Sequence, residues 1–277
     1  MPSDECPREA PQGVFAPPVV ALYGGTDPSG GAGLPADLRV CGDFHCWGWP
    51  ITNAVIAQNS RTVRHVHPVP AESLRAQWQS MLGEVRPVVL KIGLLGSPAA
   101  VDVALEFLPS LRATGARVVC DPILSSGLGD ALSVGDLERA LSKLLPCVDV
   151  LTPNLPEAVR LVGAKPLGTD ELRGLAEALL RLGPQAVVLK GGHLPGAPGD
   201  LLASAGMTRF YPNEERFDED VHGTGCHLAS AIACGLALGH SLEDALEEAK
   251  RYLARLMRAG RCASPRGRSI LLPFRGE

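Results

Sequence analysis

No stretch of this 277-residue chain approaches the eighteen or so consecutive apolar residues that a membrane-spanning helix needs. Basic residues form no stripe, and 26 Lys and Arg stand against 30 Asp and Glu for a net charge of −4, which argues against a nucleic-acid partner. The cysteines, Cys6, Cys41, Cys46, Cys120, Cys147, Cys226, Cys234 and Cys262, include no C-x-x-C pair, so neither a zinc site nor a dithiol redox pair is indicated. They read as reduced thiols, mostly small core residues. The histidines have no metal-ligand spacing, and His222 and His227 read as local hydrogen-bonding groups. No internal repeat is visible, and the P-loop pattern G-x-x-x-x-G-K-[ST] is missing. The first eighteen residues are polar and proline-rich and lack the apolar centre of a secretory signal. Residues 1–17 are therefore expected to be a disordered lead-in, and the protein to be cytoplasmic.

What is present is the balance of a globular α/β protein, with 45% hydrophobic and 20% charged residues over a length that suits one large domain. Brief apolar, β-branched runs predict strands at 18–24, 51–57, 88–95, 116–124, 148–154 and 186–192. Windows of helical period lie between them at 71–85, 98–114, 133–145, 155–163 and 170–183. The alternation implies a mostly parallel sheet covered on both faces by helices. A pair of short strands is expected within 200–218, then helices at 225–238 and 242–259 and a basic tail over 263–277, which leaves 18–262 as a single domain.

Ligands of such folds collect at the carboxyl ends of the parallel strands, where the chain places its unusual stretches. G-G-T-D-P-S-G-G-A-G (24–33) spends five glycines and a proline directly after a strand, as backbone that bends sharply or approaches a ligand closely would. H-G-T-G-C (222–226) opens an alanine-rich helix whose free amides form an anion site. Cys226 falls in the first turn, where a helix terminus favours thiolate. A plain helix start with a small-residue packing face is the alternative. Lys190 ends a strand beside two glycines and suits a phosphate, or a solvated turn. Asn154 and Glu157 open a helix, where Glu157 suits a metal or simply complements the helix dipole. Asp121, at the end of an apolar strand, suits Mg²⁺ or a cap before Pro122.

The ordered set G-T-D-P-S-G-G-A-G-x-x-A-D-L (25–38), A-Q-N (57–59), K-I-G (91–93), D-P (121–122), T-P-N-L-P-E-A (152–158), K-G-G-H-L (190–194) and H-G-T-G-C (222–226) resembles the hydroxymethylpyrimidine/phosphomethylpyrimidine kinases of thiamine biosynthesis. Those belong to the ribokinase-like superfamily. The resemblance covers about 240 residues and implies a three-layer α/β/α sandwich with a mostly parallel central sheet.

By resemblance, the activity is ATP-dependent phosphorylation of 4-amino-5-hydroxymethyl-2-methylpyrimidine and then of its monophosphate. Cys226 matches the catalytic base, and Gly223 and Gly225 supply the amides of the anion turn. Gly25, Asp37, Gln58, Leu94 and Ile123 match the pyrimidine pocket. Asn154, Lys190, Gly192 and Thr224 match the ATP contacts, and Asp121 and Glu157 the Mg²⁺ side. A homodimer is implied by analogy with relatives. Leu94 stands where the family usually has methionine, and Asp220 is added beside the anion turn. A cysteine-type pyridoxal or pyridoxine kinase, or a non-catalytic pyrimidine sensor, are the alternatives.

Overall fold

The computed structural model describes residues 16–59, 61–125, 132–163, 171–191, 198–213, 215, 217, 221–259, 261–262 and 267–271. The main sheet is built in chain order from β1 (Val19–Thr26), β2 (Trp47–Asn59), β3 (Thr62–Pro68), β4 (Val89–Ile92), β5 (Arg117–Cys120), β6 (Val150–Leu151), β7 (Ala186–Gly191), β8 (Gly199–Ser204) and β9 (Met207–Pro212). Across the sheet the order is β3-β2-β1-β4-β5-β6-β7-β8-β9. The six strands from β2 to β7 are parallel, and the antiparallel strands β3 at one edge and β8 and β9 at the other extend them.

Eight helices, α1 (Gly33–Asp43), α2 (Ala71–Glu84), α3 (Pro98–Ala113), α4 (Leu137–Leu144), α5 (Leu155–Val162), α6 (Glu171–Leu180), α7 (Thr224–Ala237) and α8 (Leu242–Ala259), are found among the described residues. They sort into two layers by the period-2 alternation of the strands. Along β1, Val20 and Leu22 pack with Leu34, Leu228 and Leu246 of α1, α7 and α8. Ala21 and Tyr23 turn the other way, onto Trp78, Ala100 and Val101 of α2 and α3. Both faces of the central strands are apolar because both are covered, and the result is the three-layer α/β/α sandwich the sequence implies.

Strands β4, β5 and β6 are shorter than their apolar runs, whereas β2 extends well beyond its own. β4 stops at Ile92 because the chain turns at Gly93, whose amide donates to Tyr23 O. β5 stops before Asp121 and Pro122, a residue with no amide to give to the ladder. Helix α1 and edge strand β3 are additions to the sequence reading. α1 starts at Ala32 without a side-chain cap, and β3 carries Arg64, His65 and His67, so neither announces itself. A second small sheet joins β10 (Val221–His222), β11 (Arg261–Cys262) and β12 (Ser269–Leu271) in the order β10-β12-β11. Part of the segment read as a tail is thus paired beside the 222–226 turn. Residues 1–15 of the expected lead-in and the 126–131 stretch lie outside the described residues.

Candidate active site

The carboxyl ends of β1, β2, β4, β5, β6 and β7 open into one cavity of about 910 Å³. Gly25, Gln58, Leu94 and Ile123 line one part of it, and Asp121, Asn154, Glu157, Lys190, Gly223, Thr224, Gly225 and Cys226 another. Twelve of the residues singled out from sequence are therefore brought together. Gly192 lies outside the described residues.

Asp37 does not line the cavity, which corrects the expectation that it contacts substrate. It sits on the buried stripe of α1 with Leu34, Val40 and Cys41, at 1% exposure. Its two carboxylate oxygens each accept from Lys91 Nζ at 2.9 Å, and Oδ1 also accepts from Ser230 Oγ at 2.7 Å. The aspartate at the cavity is Asp27. Its Oδ1 accepts from the Ser29 amide, and Oδ2 accepts from Ser29 Oγ, the Ala32 amide and His222 Nε2, the last at 2.7 Å. Burial opposes its ionisation, but the hydrogen bonds from His222, Gln58 and Ser29 outweigh this and hold it at about 2. The D-P-S-G turn chemistry was the available signal, since an aspartate that caps the amide two residues on marks a loop built around its carboxylate.

Asp27 therefore ties the glycine loop to the 222–226 turn. The two segments touch at the backbone: a Cβ on Gly223, at φ +89°, would fall 1.8 Å from Gly31 O. Gly223 is the N-cap of α7 and has no side chain to cap the first amides of that helix, which belong to the cavity-lining residues 224–226. Their partial positive charge, on a helix of fourteen residues, suits an anionic group.

Opposite this turn, Lys190 Nζ bonds Asp121 Oδ1 at 2.6 Å and lies where a Cβ on Gly225 would be 3.0 Å away. Burial works against its charge, but Asp121 and Glu157 outweigh it and raise the ammonium above its usual range. Glu157 closes a capping box with Asn154, its Oε2 accepting the Asn154 amide and its own amide donating to Asn154 Oδ1, both at 2.8 Å. The dipole-complementing reading of Glu157 is thus real, yet its environment is more than a cap. Burial pushes its carboxyl up to about 7, with Asp121 acting in the same sense and Lys190 against it.

Cys226 lies at 7% exposure in the first turn of α7. The helix-terminus argument predicted a lowered thiol; instead burial pushes it up to about 12, against the opposing Lys91 charge and the Gly33 amide. Desolvation exceeds the terminus effect here because the residue is almost wholly buried. His227, also buried, is pushed down to about 4 by burial and is neutral, with Nδ1 2.9 Å from Gly223 O. It braces the turn. Among the described residues no group of three or more His, Cys, Asp or Glu is arranged to hold a metal ion, so any cation here would rest on the two carboxylates with ligand oxygens or water.

A sequence model of the family described as phosphomethylpyrimidine kinase matches residues 27–268. The hydroxymethylpyrimidine/phosphomethylpyrimidine kinase of Streptomyces coelicolor is 38% identical over 252 residues, covering 91% of this chain and 93% of that one. Among solved structures, the phosphomethylpyrimidine kinase of Clostridium difficile has a TM-score of 0.74 at 31% identity, covering 87% of this chain and 99% of that one. The pyridoxal kinase of Staphylococcus aureus in complex with ADP reaches a TM-score of 0.83 at 26% identity, covering 93% and 94% of the two chains. The chain belongs to the phosphomethylpyrimidine kinase family.

Proposed function

We propose that this member of the phosphomethylpyrimidine kinase family transfers the γ-phosphoryl group of ATP to the hydroxyl of 4-amino-5-hydroxymethyl-2-methylpyrimidine, and then phosphorylates the monophosphate to the diphosphate. The observation that carries the reading is a single cavity with an uncapped helix N-terminus and a lysine–aspartate pair on one side, and Asp27, Gln58 and an apolar slot on the other.

The pyrimidine ring lies in the slot formed by Gly25, Ile56, Leu94, Ile123 and Leu132. Gln58 offers both a donor and an acceptor to the aminopyrimidine edge. The substrate hydroxyl points to the 223–226 turn, where its oxygen attacks the γ-phosphorus as the bond to the β-phosphate oxygen breaks and ADP leaves. The hydroxyl proton goes to the thiolate form of Cys226. Amides of Thr224, Gly225 and Cys226 meet the charge on the transferred group, and Lys190 meets the departing phosphates. Asn154 and Thr224 hold the nucleotide in register.

Asp121 and Glu157 fit a divalent cation. Burial and the Asp121 charge push the Glu157 carboxyl up to about 7, a strain that Mg²⁺ held by the two carboxylates would relieve. When bound, that ion neutralises phosphate charge; the protein's own part is to keep Lys190 charged and Asp121 oriented by Thr152 Oγ1 at 3.3 Å. A homodimer and a cytoplasmic location complete the proposal. The edge strand β3 and the exposed Val55 offer a face for a second copy. No helix among the described residues is long and apolar enough to cross a membrane.

The test is ADP release from Mg-ATP with hydroxymethylpyrimidine, its monophosphate and pyridoxal offered separately. Turnover of both pyrimidines supports the proposal. Turnover of pyridoxal alone moves the chain to vitamin B6 chemistry, and pyrimidine binding without turnover makes it a sensor.

A further inference from the structure

Lys91 is the one charged residue in the apolar run of β4, and it is fully buried. Like Val89 it points to the face covered by α1 and α7, where its ammonium meets both oxygens of Asp37 on α1. Asp37 in turn accepts from Ser230 of α7. Ser230 stands four residues after Cys226, so the hydroxyl and the thiol lie on one stripe of the helix, about one turn apart. The ion pair therefore meets α7 at Ser230, one turn beyond Cys226 on the same stripe. Next to it, the chain leaves β4 through Gly93, where any Cβ would come within 2.8 Å of Lys91 Nζ.

A buried pair of this kind is costly, and apolar replacements are often no less stable, so stability alone gives it little reason to be there. Three elements converge on it, and each also shapes the cavity: α1 follows the glycine loop, β4 leads to Leu94, and α7 carries the anion turn. The charged groups whose fields reach Cys226 are Lys91 from β4, Asp37 from α1, Asp121 from the end of β5 and Lys190 from β7, with the Gly33 amide as a hydrogen-bond partner. Of these Lys91 has the largest influence favouring thiolate, and it opposes the burial that holds the thiol up at about 12.

We propose that Lys91, held by Asp37 and Ser230, is a positioning residue that sets the electrostatic environment and orientation of Cys226 and so makes its thiolate accessible as acceptor of the substrate hydroxyl proton. This rests on the kinase reading of the site, but its central claim, the hold of the pair on Cys226, is measurable without any substrate. In the step itself the proton moves from the hydroxyl oxygen to the Cys226 thiolate, giving the thiol, while that oxygen forms its bond to the γ-phosphorus, and ADP carries away the electron pair of the broken bond.

The experiment is peptide-resolved alkylation of Cys226 by iodoacetamide across pH 6 to 10, in wild type and in the charge-compensated variant Lys91→Met/Asp37→Asn, with folding checked by circular dichroism. The cavity admits the reagent, and the rate follows the thiolate fraction. Alkylation at pH 8 is expected to slow about tenfold, with the profile displaced about one pH unit to the alkaline side. In parallel, kcat falls while KM for ATP holds. An unchanged Cys226 profile in the folded variant overturns the proposal and leaves the pair a structural strut. If the double variant does not fold, Ser230→Ala decides: a smaller shift in the same direction supports the proposal, and an unchanged profile overturns it. A displaced profile in a chain that turns over no pyrimidine retires the kinase reading and leaves the hold on Cys226 standing.

Discussion

Lys190 Nζ lies 2.6 Å from Asp121 Oδ1, so the bond passes over β6 from the end of β7 to the end of β5. Asp121 is 1% exposed and depends on that ammonium. Two charges held this way suit a phosphate group that arrives with its own cation, since the lysine is already charged and in place.

Replacing Lys190 by glutamine keeps a hydrogen-bond donor for Asp121 but removes the charge. Steady-state kinetics should show kcat reduced by about 10² to 10³, the cost of removing one preorganised charge-stabilising group, with KM for ATP raised. Lys190→Arg should not rescue it, because a planar guanidinium does not reproduce the compact ammonium contact with Asp121 beside Gly225. Full activity in either variant would remove Lys190 from the phosphate site.

Asp27 makes a stability prediction with a definite sign. Its folded pKa is depressed to about 2, so the carboxylate contributes stability that is present above about pH 4 and is lost as pH falls through 2. Asp27→Asn turns an amide donor toward the groups that now donate to Oδ2, at a cost of about 1–3 kcal/mol. Urea midpoints should show that deficit in full at pH 7 and narrowing below pH 4. A gap independent of pH would mean the carboxylate is not the group that holds the loop.

Much of this site was legible in the sequence because strand ends are. Asn154 and Lys190 each follow a short apolar run, and topology then brings those ends to the G-T-G-C turn. Asp37 was misplaced for a reason the sequence also contained. It occupies the helical stripe of Leu34, Val40 and Cys41, and Lys91 interrupts a strand that is apolar on both faces. A buried acid and a buried base on adjacent elements pair with each other before they meet any ligand. The thiol of Cys226 was a different failure, because how far burial exceeds a helix terminus depends on packing that no local motif records. Helix α1 was hidden by the glycines before it and by the lack of a cap.

Glu157→Gln should raise stability while lowering activity. The carboxyl is raised to about 7 from an ordinary value of 4.5, so the folded state holds its proton more tightly than the unfolded chain does. Stability of the wild type therefore falls as pH rises from about 4.5 through 7. A glutamine oxygen still accepts the Asn154 amide, so the capping box survives without that penalty. Melting curves should coincide near pH 4.5 and separate above pH 7, the variant higher by roughly 2–4 °C for each kcal/mol relieved. The acidic limb of kcat/KM near pH 7 should disappear with the carboxylate. Coincident melting at pH 8 would show that burial does not strain this group.

The apolar slot is the part of the cavity that distinguishes one ring from another, and Gly25 controls its depth. A Cβ there would sit 2.9 Å from Leu94 Cδ2 and 3.0 Å from Ile56 Cδ1, both ends of flexible side chains. Gly25→Ala therefore folds, by pushing those side chains into the slot. KM for hydroxymethylpyrimidine should rise, by about the 10- to 200-fold that one methyl group is worth in a fitted apolar pocket. KM for ATP should be unaffected, since Lys190 and the 223–226 turn lie on the other side. Trimming the opposing wall with Leu94→Ala in the same chain should recover much of the loss, because the volume added on β1 is returned beyond β4. If Gly25→Ala raises both KM values alike, the substitution has disturbed the loop that Asp27 holds, and the slot does not select the ring.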